Sequence, residues 1–145
     1  HCGAFAVIRL CSYFLAYFAL CTCVQFTPRV GALWTLALVL ERTLSGYAVA
    51  AFPMAKNTGL AHTFATAADK TTVRRVLTVL AVVLAACMMF LRGWALVLAA
   101  LAVLFYYNKM SAKQFGGITG DLAGWFLQIT ELTLTAVIVI GGKLL

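Results

Sequence analysis

Residues 73–107 read VRRVLTVLAVVLAACMMFLRGWALVLAALAVLFYY, two apolar runs joined at Arg92-Gly93. The first run, 73–91, is long enough to cross the hydrocarbon core of a bilayer as a helix, and the second, 94–107, is shorter. The arginine and glycine between them are typical of a tight turn, because glycine adopts backbone conformations that other residues avoid. The stretch therefore predicts a helical hairpin within a membrane.

The composition of the whole chain also indicates a membrane environment. Of the 145 residues, 64% are apolar and 10% are charged, whereas soluble domains are roughly 45–50% apolar and about 25% charged. A soluble enzyme is therefore excluded, and further apolar runs lie on both sides of the hairpin. We predict an all-α, polytopic integral membrane bundle, one domain over 1–145, with about five transmembrane helices at 4–24, 31–52, 73–91, 94–107 and 122–140.

Basic residues are unevenly divided between the two faces that these spans define. The face richer in Lys and Arg is expected to be cytoplasmic, and it carries His1, the polar segment after Pro53 and the loop before Asp121. We expect a multi-pass membrane protein whose richer face lies toward the cytoplasm, and anionic lipid headgroups explain the charges equally well. The richer face holds Arg9, Lys56, Lys70, Arg74, Arg75, Lys109 and Lys113, and the other holds Arg29, Arg92 and Lys143.

Residues at the ends of the fourth span suit the membrane surface. Lys109 and Lys113 are typical headgroup anchors, and Trp94 and Tyr106-Tyr107 are typical of an interfacial aromatic belt. We expect residues 108–120 to form a loop leading to the last span.

Two charged residues, Glu41 and Arg42, lie in the middle of the predicted span 31–52. Either charge costs at least roughly 2.5–3.5 kcal/mol at the bilayer centre, so both must face protein or water. Adjacent residues diverge by about 100° around a helix. We therefore predict that the two side chains do not neutralise each other by direct contact. A structural polar clamp and, for Arg42, a buried anionic site are the two interpretations.

The last span carries a polar stripe, Asp121, Gly124, Gln128 and Glu131, on one side of the predicted helix. Glu131 lies about 15 Å along the axis from Asp121, so the stripe descends from the cytoplasmic face toward mid-membrane. Such a stripe is expected to line a cavity or to contact other helices. A carboxylate at the mouth of a cavity is a natural metal ligand.

A glycine-rich loop, residues 115–121 (FGGITGD), leads into this span. Glycines allow close approach of a ligand, and the N–H groups at a helix N-terminus suit phosphate oxygens. An ordinary helix cap explains the same residues, with Asp121 near the first helical position as the cap and Thr119 or Gly120 as alternative cap residues.

The loop also resembles a known family. Residues 116–121 (GGITGD), followed by Gly124 and Glu131-Leu132, resemble the GGxTGDxxG…E-L ending of the cobalamin synthase family, also called adenosylcobinamide-GDP ribazoletransferase. Residues 53–60 (PMAKNTGL), between Arg42 and Phe64, look like its R…P-x-A-(R/K)-x-x-G-L-x-x-x-F stretch. Residues 1–5 (HCGAF) look like the tail of D-S-(R/H)-x-G-x-(F/H). The resemblance covers essentially the whole chain, with the last loop its strongest part.

The resemblance implies a transferase that joins α-ribazole, or its 5′-phosphate, to adenosylcobinamide-GDP and releases GMP, a late step of cobalamin biosynthesis. It implies these substrates, Mg²⁺ as cofactor, the lipid bilayer as environment and no nucleic-acid partner, and it leaves a homo-oligomer open. Asp121 and Lys56 are the expected catalytic residues, with Asp121 also a metal ligand. The expected substrate-binding residues are Arg42, Gly59, Gly116, Gly117, Thr119, Gly120 and Glu131.

The chain also departs from the family pattern. The family has an acidic D-G-L-A-D-T-x-D-G-like motif, thought to hold the magnesium ion, upstream of the point where this sequence begins at His1. We therefore expect a missing N-terminal segment of the same protein to supply the main metal ligands. Gln128 stands where many members have glutamate, and Lys56 where many have arginine.

Two other functions remain open. In a transporter or channel subunit, Glu41, Arg42, Gln128 and Glu131 would line a path across the membrane, although the polar surface is one-sided. A CDP-alcohol phosphotransferase-like enzyme uses similar chemistry, but the aspartate-spaced motif of that family is absent from this sequence.

Overall fold

The computed structural model describes residues 3–55 and 69–144. Within these ranges the chain forms α-helices and no β-strand, which confirms the all-α prediction. The helices are α1 Ala4–Thr22, α2 Pro28–Ala51, α3 Lys70–Phe90, α4 Trp94–Phe115 and α5 Gly120–Leu144.

Four of these helices are long and apolar enough to cross a membrane, namely α1, α3, α4 and α5 up to Gly141. Helix α2 has sufficient length, with 24 residues, but it carries Arg29, Glu41 and Arg42. Its position explains how these charges are tolerated, because α2 packs against α3, α4 and α5. The predicted polytopic helical membrane bundle is confirmed, with the helix that carries Glu41 and Arg42 at its centre.

The buried face of α2 forms the core of the bundle. Leu33, Ala37, Leu40, Leu44 and Ala48 recur at helical spacing and are all at most 8% exposed. By contrast, α1 has no buried residue and packs mainly against α5. The bundle therefore has a tight centre, α2 to α5, with α1 on its outside.

The predicted hairpin is present, and its turn is closed by backbone hydrogen bonds. The N–H groups of Arg92 and Gly93 donate to Met89 and Met88 carbonyls at 2.9 and 2.7 Å. A Cβ atom at position 93 would lie 2.5 Å from Leu33 Cδ2, so the turn packs against α2 at a distance that only glycine allows without rearrangement.

Contacts between helices define two ends of the bundle. Residues 53–55, 69 and 116–119 lie at one end, which we call the glycine-loop end. Residues 23–29, 91–93 and the last turns of α5 lie at the other, which we call the arginine end because it carries Arg29 and Arg92.

Two helices extend beyond the predicted apolar spans. Pro28 begins α2 rather than only ending the first span, because proline suits the first turn of a helix and the Thr27 hydroxyl caps it, accepting from the Val30 N–H at 3.2 Å. Helix α4 continues to Phe115, although 108–115 was expected to be a loop. These residues are more polar than the preceding run but are mostly good helix formers, so the end of the apolar run does not end the helix.

The prediction that Tyr107 belongs to an interfacial belt is also wrong. Its side chain is 0% exposed, and its ring packs on Phe126 with centroids 4.9 Å apart. Tyr106, the adjacent residue, points outward and is 59% exposed. Because neighbouring residues on a helix point in different directions, α5 covers Tyr107 and leaves Tyr106 exposed.

Candidate functional site

The glycine-loop end joins two segments that are distant in sequence. Ile118 N–H donates to the Pro53 carbonyl at 2.8 Å, and Ala55 N–H donates to the Ile118 carbonyl at 2.9 Å. Met54 and Ile118 thus form an isolated parallel β-bridge. Because both segments leave or enter helices here, their backbone groups would lack partners without this pairing.

Gly117 makes the pairing possible. Its φ is 150°, and a Cβ atom there would lie 2.5 Å from the Pro53 carbonyl oxygen and 2.6 Å from the Ala55 nitrogen. Both are backbone atoms that cannot move away independently. The close approach of two backbone segments therefore explains by itself why position 117 is a glycine. The substrate-binding role of Gly117 stays a prediction.

Gly116 ends α4 in the left-handed region, with φ of 70°. A Cβ atom at this position would meet nothing within 4 Å, so only the backbone conformation favours glycine here. Gly117 N–H donates to the Ser111 carbonyl at 3.1 Å, which caps the last turn. The two adjacent glycines are thus required for different reasons.

Thr119 is the cap of α5. Its hydroxyl accepts from the Leu122 N–H at 3.3 Å, and its carbonyl accepts from the Ala123 N–H at 3.0 Å. Of the three caps that the sequence allowed, the structure selects Thr119 rather than Asp121 or Gly120. Gly120 and Asp121 open the helix, so their N–H groups have no helical carbonyl to bind.

Asp121 lies in the first turn of α5 and is exposed. Gly120 is also exposed, and a Cβ atom there would meet nothing within 4 Å. The start of α5 therefore presents a carboxylate and two N–H groups at an open surface. Lys56 and Gly59, predicted to join this site, lie outside the described residues.

A second polar cluster lies in the middle of the bundle. The Tyr13 hydroxyl donates to Glu131 Oε2 at 2.8 Å, joining α1 to α5. Tyr13, Glu41 and Glu131 each lie about 14–17 Å along their helices from the glycine-loop end, at about 1.5 Å per residue. Tyr13 was not among the predicted site residues. The sequence feature that could have indicated it is a hydroxyl group in the middle of an apolar span, one helical turn from the hydroxyl of Tyr17.

The prediction that Glu41 and Arg42 do not contact each other is wrong. Arg42 Nε lies 3.3 Å from Glu41 Oε1, because the long arginine side chain can reach back over one residue. The pair is asymmetric: the side chain of Glu41 is 0% exposed and that of Arg42 is 61% exposed. Neither Glu41 carboxyl oxygen has a hydrogen-bond partner among the described residues.

Arg42 does not reach the glycine loop. It lies about 14 Å along α2 from Ala51, where the helix ends, and its guanidinium contacts Glu41. Glu131 is likewise separated from Asp121 along α5. The predicted site residues therefore fall into two groups, those at the glycine-loop end and those at mid-bundle.

No group of three or more His, Cys, Asp or Glu residues that could hold a metal occurs in the described ranges 3–55 and 69–144. At the glycine-loop end, Asp121 offers a single carboxylate. This fits one ligand of a magnesium ion that is otherwise held by water and phosphate oxygens, but by itself it does not make a metal site.

The fold and this geometry define a class: a polytopic helical membrane protein in which a glycine-rich loop pairs with a second loop at one end of the bundle. Residues 1–139 match the profile of the family described as cobalamin-5-phosphate synthase. A relative from Lachnoclostridium phytofermentans, named adenosylcobinamide-GDP ribazoletransferase, is 38% identical over 146 residues, which cover 97% of this chain and 54% of the relative. No solved structure matches the chain.

The chain belongs to the cobalamin-5-phosphate synthase family. The match extends across both segments of the paired loops and all five helices. The chain spans about half the length of the curated relative that it matches.

Proposed function

We propose that the complete protein is a membrane transferase that joins α-ribazole, or its 5′-phosphate, to adenosylcobinamide-GDP and releases GMP. Family membership and the name of the relative support this activity. The observation that supports a location for this activity is the backbone hydrogen bonding of Pro53 and Ala55 with Ile118. This pairing holds the glycine loop against the segment that leads directly into Lys56.

The proposed reaction is a substitution at phosphorus. A ribose hydroxyl oxygen of the ribazole substrate, other than the 5′ oxygen that carries the phosphate in the 5′-phosphate form, loses its proton and forms a bond to the phosphorus attached to cobinamide. The bond from that phosphorus to the bridging oxygen of the diphosphate breaks. GMP leaves with the bridging oxygen. Such a transfer needs alignment and charge stabilisation more than covalent participation by the protein.

The chain offers suitable groups for this task at the glycine-loop end. The N–H groups of Gly120 and Asp121 open α5 and can donate to phosphate oxygens. The Lys56 ammonium is proposed as the cation beside the transferred phosphoryl group. The Asp121 carboxylate is proposed to orient the ribazole oxygen that attacks.

We further propose that the protein requires Mg²⁺, with Asp121 as one ligand and the remaining protein ligands outside the described residues. A bound magnesium ion would offset the charge of the diphosphate. The active face is proposed to be the cytoplasmic side of a bacterial inner membrane. The excess of Lys and Arg at the glycine-loop end supports this orientation.

The test compares two exposed aspartates that each stand at the start of a helix, Asp121 of α5 and Asp69 of α3. Purified full-length protein is incubated with adenosylcobinamide-GDP, α-ribazole or its phosphate, and magnesium, and GMP release is measured. We expect Asp121→Asn to lower the rate at least about 100-fold, the range lost when a positioned catalytic group is removed. Asp69→Asn should remain within about twofold.

Two outcomes contradict different parts of the proposal. If the unmodified protein releases no GMP with either acceptor, the transferase activity is wrong. If it releases GMP and Asp121→Asn behaves like Asp69→Asn, the activity stands and the role of Asp121 is wrong. A GMP rate that is unchanged after chelation of magnesium would exclude the metal requirement alone.

A further inference from the structure

A cavity of about 650 Å³ opens at the arginine end, far from the paired loops. It lies between the link from α1 to α2, the turn between α3 and α4, and the last turns of α5. Its volume is many times the ~30 Å³ that one water molecule occupies in the liquid. The residues that shape it include Arg29, Leu33, Arg92, Ala95, Leu96 and Ile138.

The inner wall of this cavity is apolar. Leu33, Leu96 and Ile138 belong to the bundle core and are only 8%, 3% and 7% exposed. Such a wall gives water few hydrogen-bond partners, so hydrocarbon is favoured over water as its contents. The chamber is therefore suited to an alkyl chain.

The mouth of the cavity is cationic. Arg29 Nε donates to the Leu91 carbonyl at 2.9 Å, which holds its guanidinium beside the turn between α3 and α4. This bond uses one of the five donors of the group, and the guanidinium makes no second hydrogen bond within residues 3–55 and 69–144. Arg92, in the same turn, also lines the cavity.

The backbone of Arg92 is in the left-handed region, with φ of 59°. A residue with a Cβ atom adopts this conformation at a cost in free energy that glycine does not incur. The turn nevertheless carries arginine at this position and glycine at the next one, where φ is −89°. A long cationic side chain is thus directed to the cavity mouth from a position that glycine would occupy more easily.

None of the acidic residues in the sequence lies beside these two charges. The chain has four Asp and Glu residues in total, and none of them lines the cavity. Two of the four, Asp69 and Asp121, stand at the opposite end, and Glu41 and Glu131 lie at mid-bundle. An apolar chamber with two guanidinium groups and no acidic side chain among its lining residues is complementary to a molecule with an anionic head and an apolar tail.

We propose that this cavity binds an anionic phospholipid, with the phosphate between Arg29 and Arg92 and one acyl chain in the chamber. Guanidinium groups bind phosphate oxygens through paired hydrogen bonds. The site lies where apolar helices end, the level at which lipid headgroups are found. Trp94 beside it is 58% exposed, as expected for an aromatic residue at the headgroup region.

The test measures retention of phosphatidylglycerol and phosphatidylcholine by the intact protein in detergent, using native mass spectrometry with lipid titration. The double variant Arg29→Gln/Arg92→Asn removes both charges, and asparagine tolerates the left-handed backbone at position 92. Arg9→Gln/Arg75→Gln removes two exposed charges from other helices as a matched control. We expect phosphatidylglycerol affinity to fall at least about tenfold in the first variant, the loss expected for one charged hydrogen bond or more.

A second variant separates a lipid from free phosphate. Ala95→Phe keeps both guanidinium groups and fills part of the chamber, so it should weaken phosphatidylglycerol binding while leaving the binding of inorganic phosphate unchanged. Helix content by circular dichroism and monodispersity by gel filtration establish that each variant is folded.

The proposal is overturned if the unmodified protein retains both lipids equally, or if the Arg29/Arg92 variant binds phosphatidylglycerol as well as its matched control does. It is also overturned if inorganic phosphate competes fully with the lipid and Ala95→Phe changes nothing, because the site would then recognise phosphate without the acyl chain. These readouts do not depend on transferase activity, so the two proposals fail independently.

Discussion

The two ends of the bundle are held together in different ways. At the glycine-loop end, the backbone of 53–55 is hydrogen-bonded to the backbone of Ile118, and Gly117 is surrounded by main-chain atoms. At the arginine end, Gly93 faces the end of a leucine side chain, and a wide cavity remains. Backbone pairing fixes positions to a fraction of an ångström, whereas side-chain packing can readjust. The glycine-loop end, which is proposed to bind substrate, is therefore the more rigidly held of the two ends.

The largest effect is expected for Gly117→Ala. The added Cβ atom would lie 2.5–2.7 Å from three backbone atoms, at a φ of 150°. Left-handed strain and overpacking together should cost roughly 3–5 kcal/mol. Thermal unfolding in detergent should show the loss, and GMP release should fall with it because the loops separate.

Gly124→Ala is the control for this change, since a Cβ atom there meets nothing within 4 Å and alanine suits a helix interior. It should be neutral or stabilise the protein by up to about 1 kcal/mol. Equal melting temperatures for the two variants would show that the backbone pairing does not hold the glycine-loop end.

Gly93→Ala applies the same substitution to the other end and should have an intermediate effect. The new Cβ atom would lie 2.5 Å from Leu33 Cδ2, which can rotate, and 3.0 Å from the Met88 carbonyl oxygen. Overpacking of this kind costs about 1–2 kcal/mol. Leu33→Ala should partly relieve the cost, measured as non-additivity of the two changes, and GMP release by the folded protein should be unaffected.

If Gly93→Ala lowered the rate of GMP release as much as Gly117→Ala does, the proposed difference between the two ends would be contradicted. The activity must be expressed per folded molecule, because both variants lower the amount of stable protein.

The smallest effect is expected at Asp69, the cap of α3. Hydrogen bonds from the Thr72 hydroxyl at 2.6 Å and the Thr71 N–H at 3.1 Å hold the pKa of this carboxyl below its usual value. A lowered pKa in the folded state means that the ionised form contributes stability above the ordinary pKa of about 4. That contribution is lost as the pH falls through the lower, folded-state pKa.

The measurement is the difference in melting temperature between the unmodified protein and Asp69→Asn, from pH 7 down to pH 3. It should be small and positive near pH 7 and should vanish at the acidic limit. Thr72→Val removes the main cause of the shift and should reduce the pH dependence. A difference that stays constant over the whole range contradicts the assignment.

The mid-bundle cluster shows where prediction from the sequence failed. Helical angles place Glu41 and Arg42 in different directions, and that part is correct, because one is buried and the other exposed. Their contact at 3.3 Å follows from the length and flexibility of the arginine side chain, which Cα geometry ignores. The partner of Glu131 is Tyr13, 118 positions away, and no local pattern links the two.

The sequence by itself determined the apolar spans, the turn at Arg92-Gly93, the glycine loop and the family, because these depend on local composition and short motifs. All functional assignments of site residues remain predictions: Arg42, Lys56, Gly59, Gly116, Gly117, Thr119, Gly120, Asp121 and Glu131.

Only the tertiary structure decided that Thr119 caps α5, that α4 runs to Phe115, and that residues 53–55 pair with Ile118. It also decided that α2, the helix with two charged residues in its middle, stands at the centre. These features share one physical reason. Burial and hydrogen-bond satisfaction depend on contacts with distant parts of the chain, and local sequence does not specify which parts come into contact.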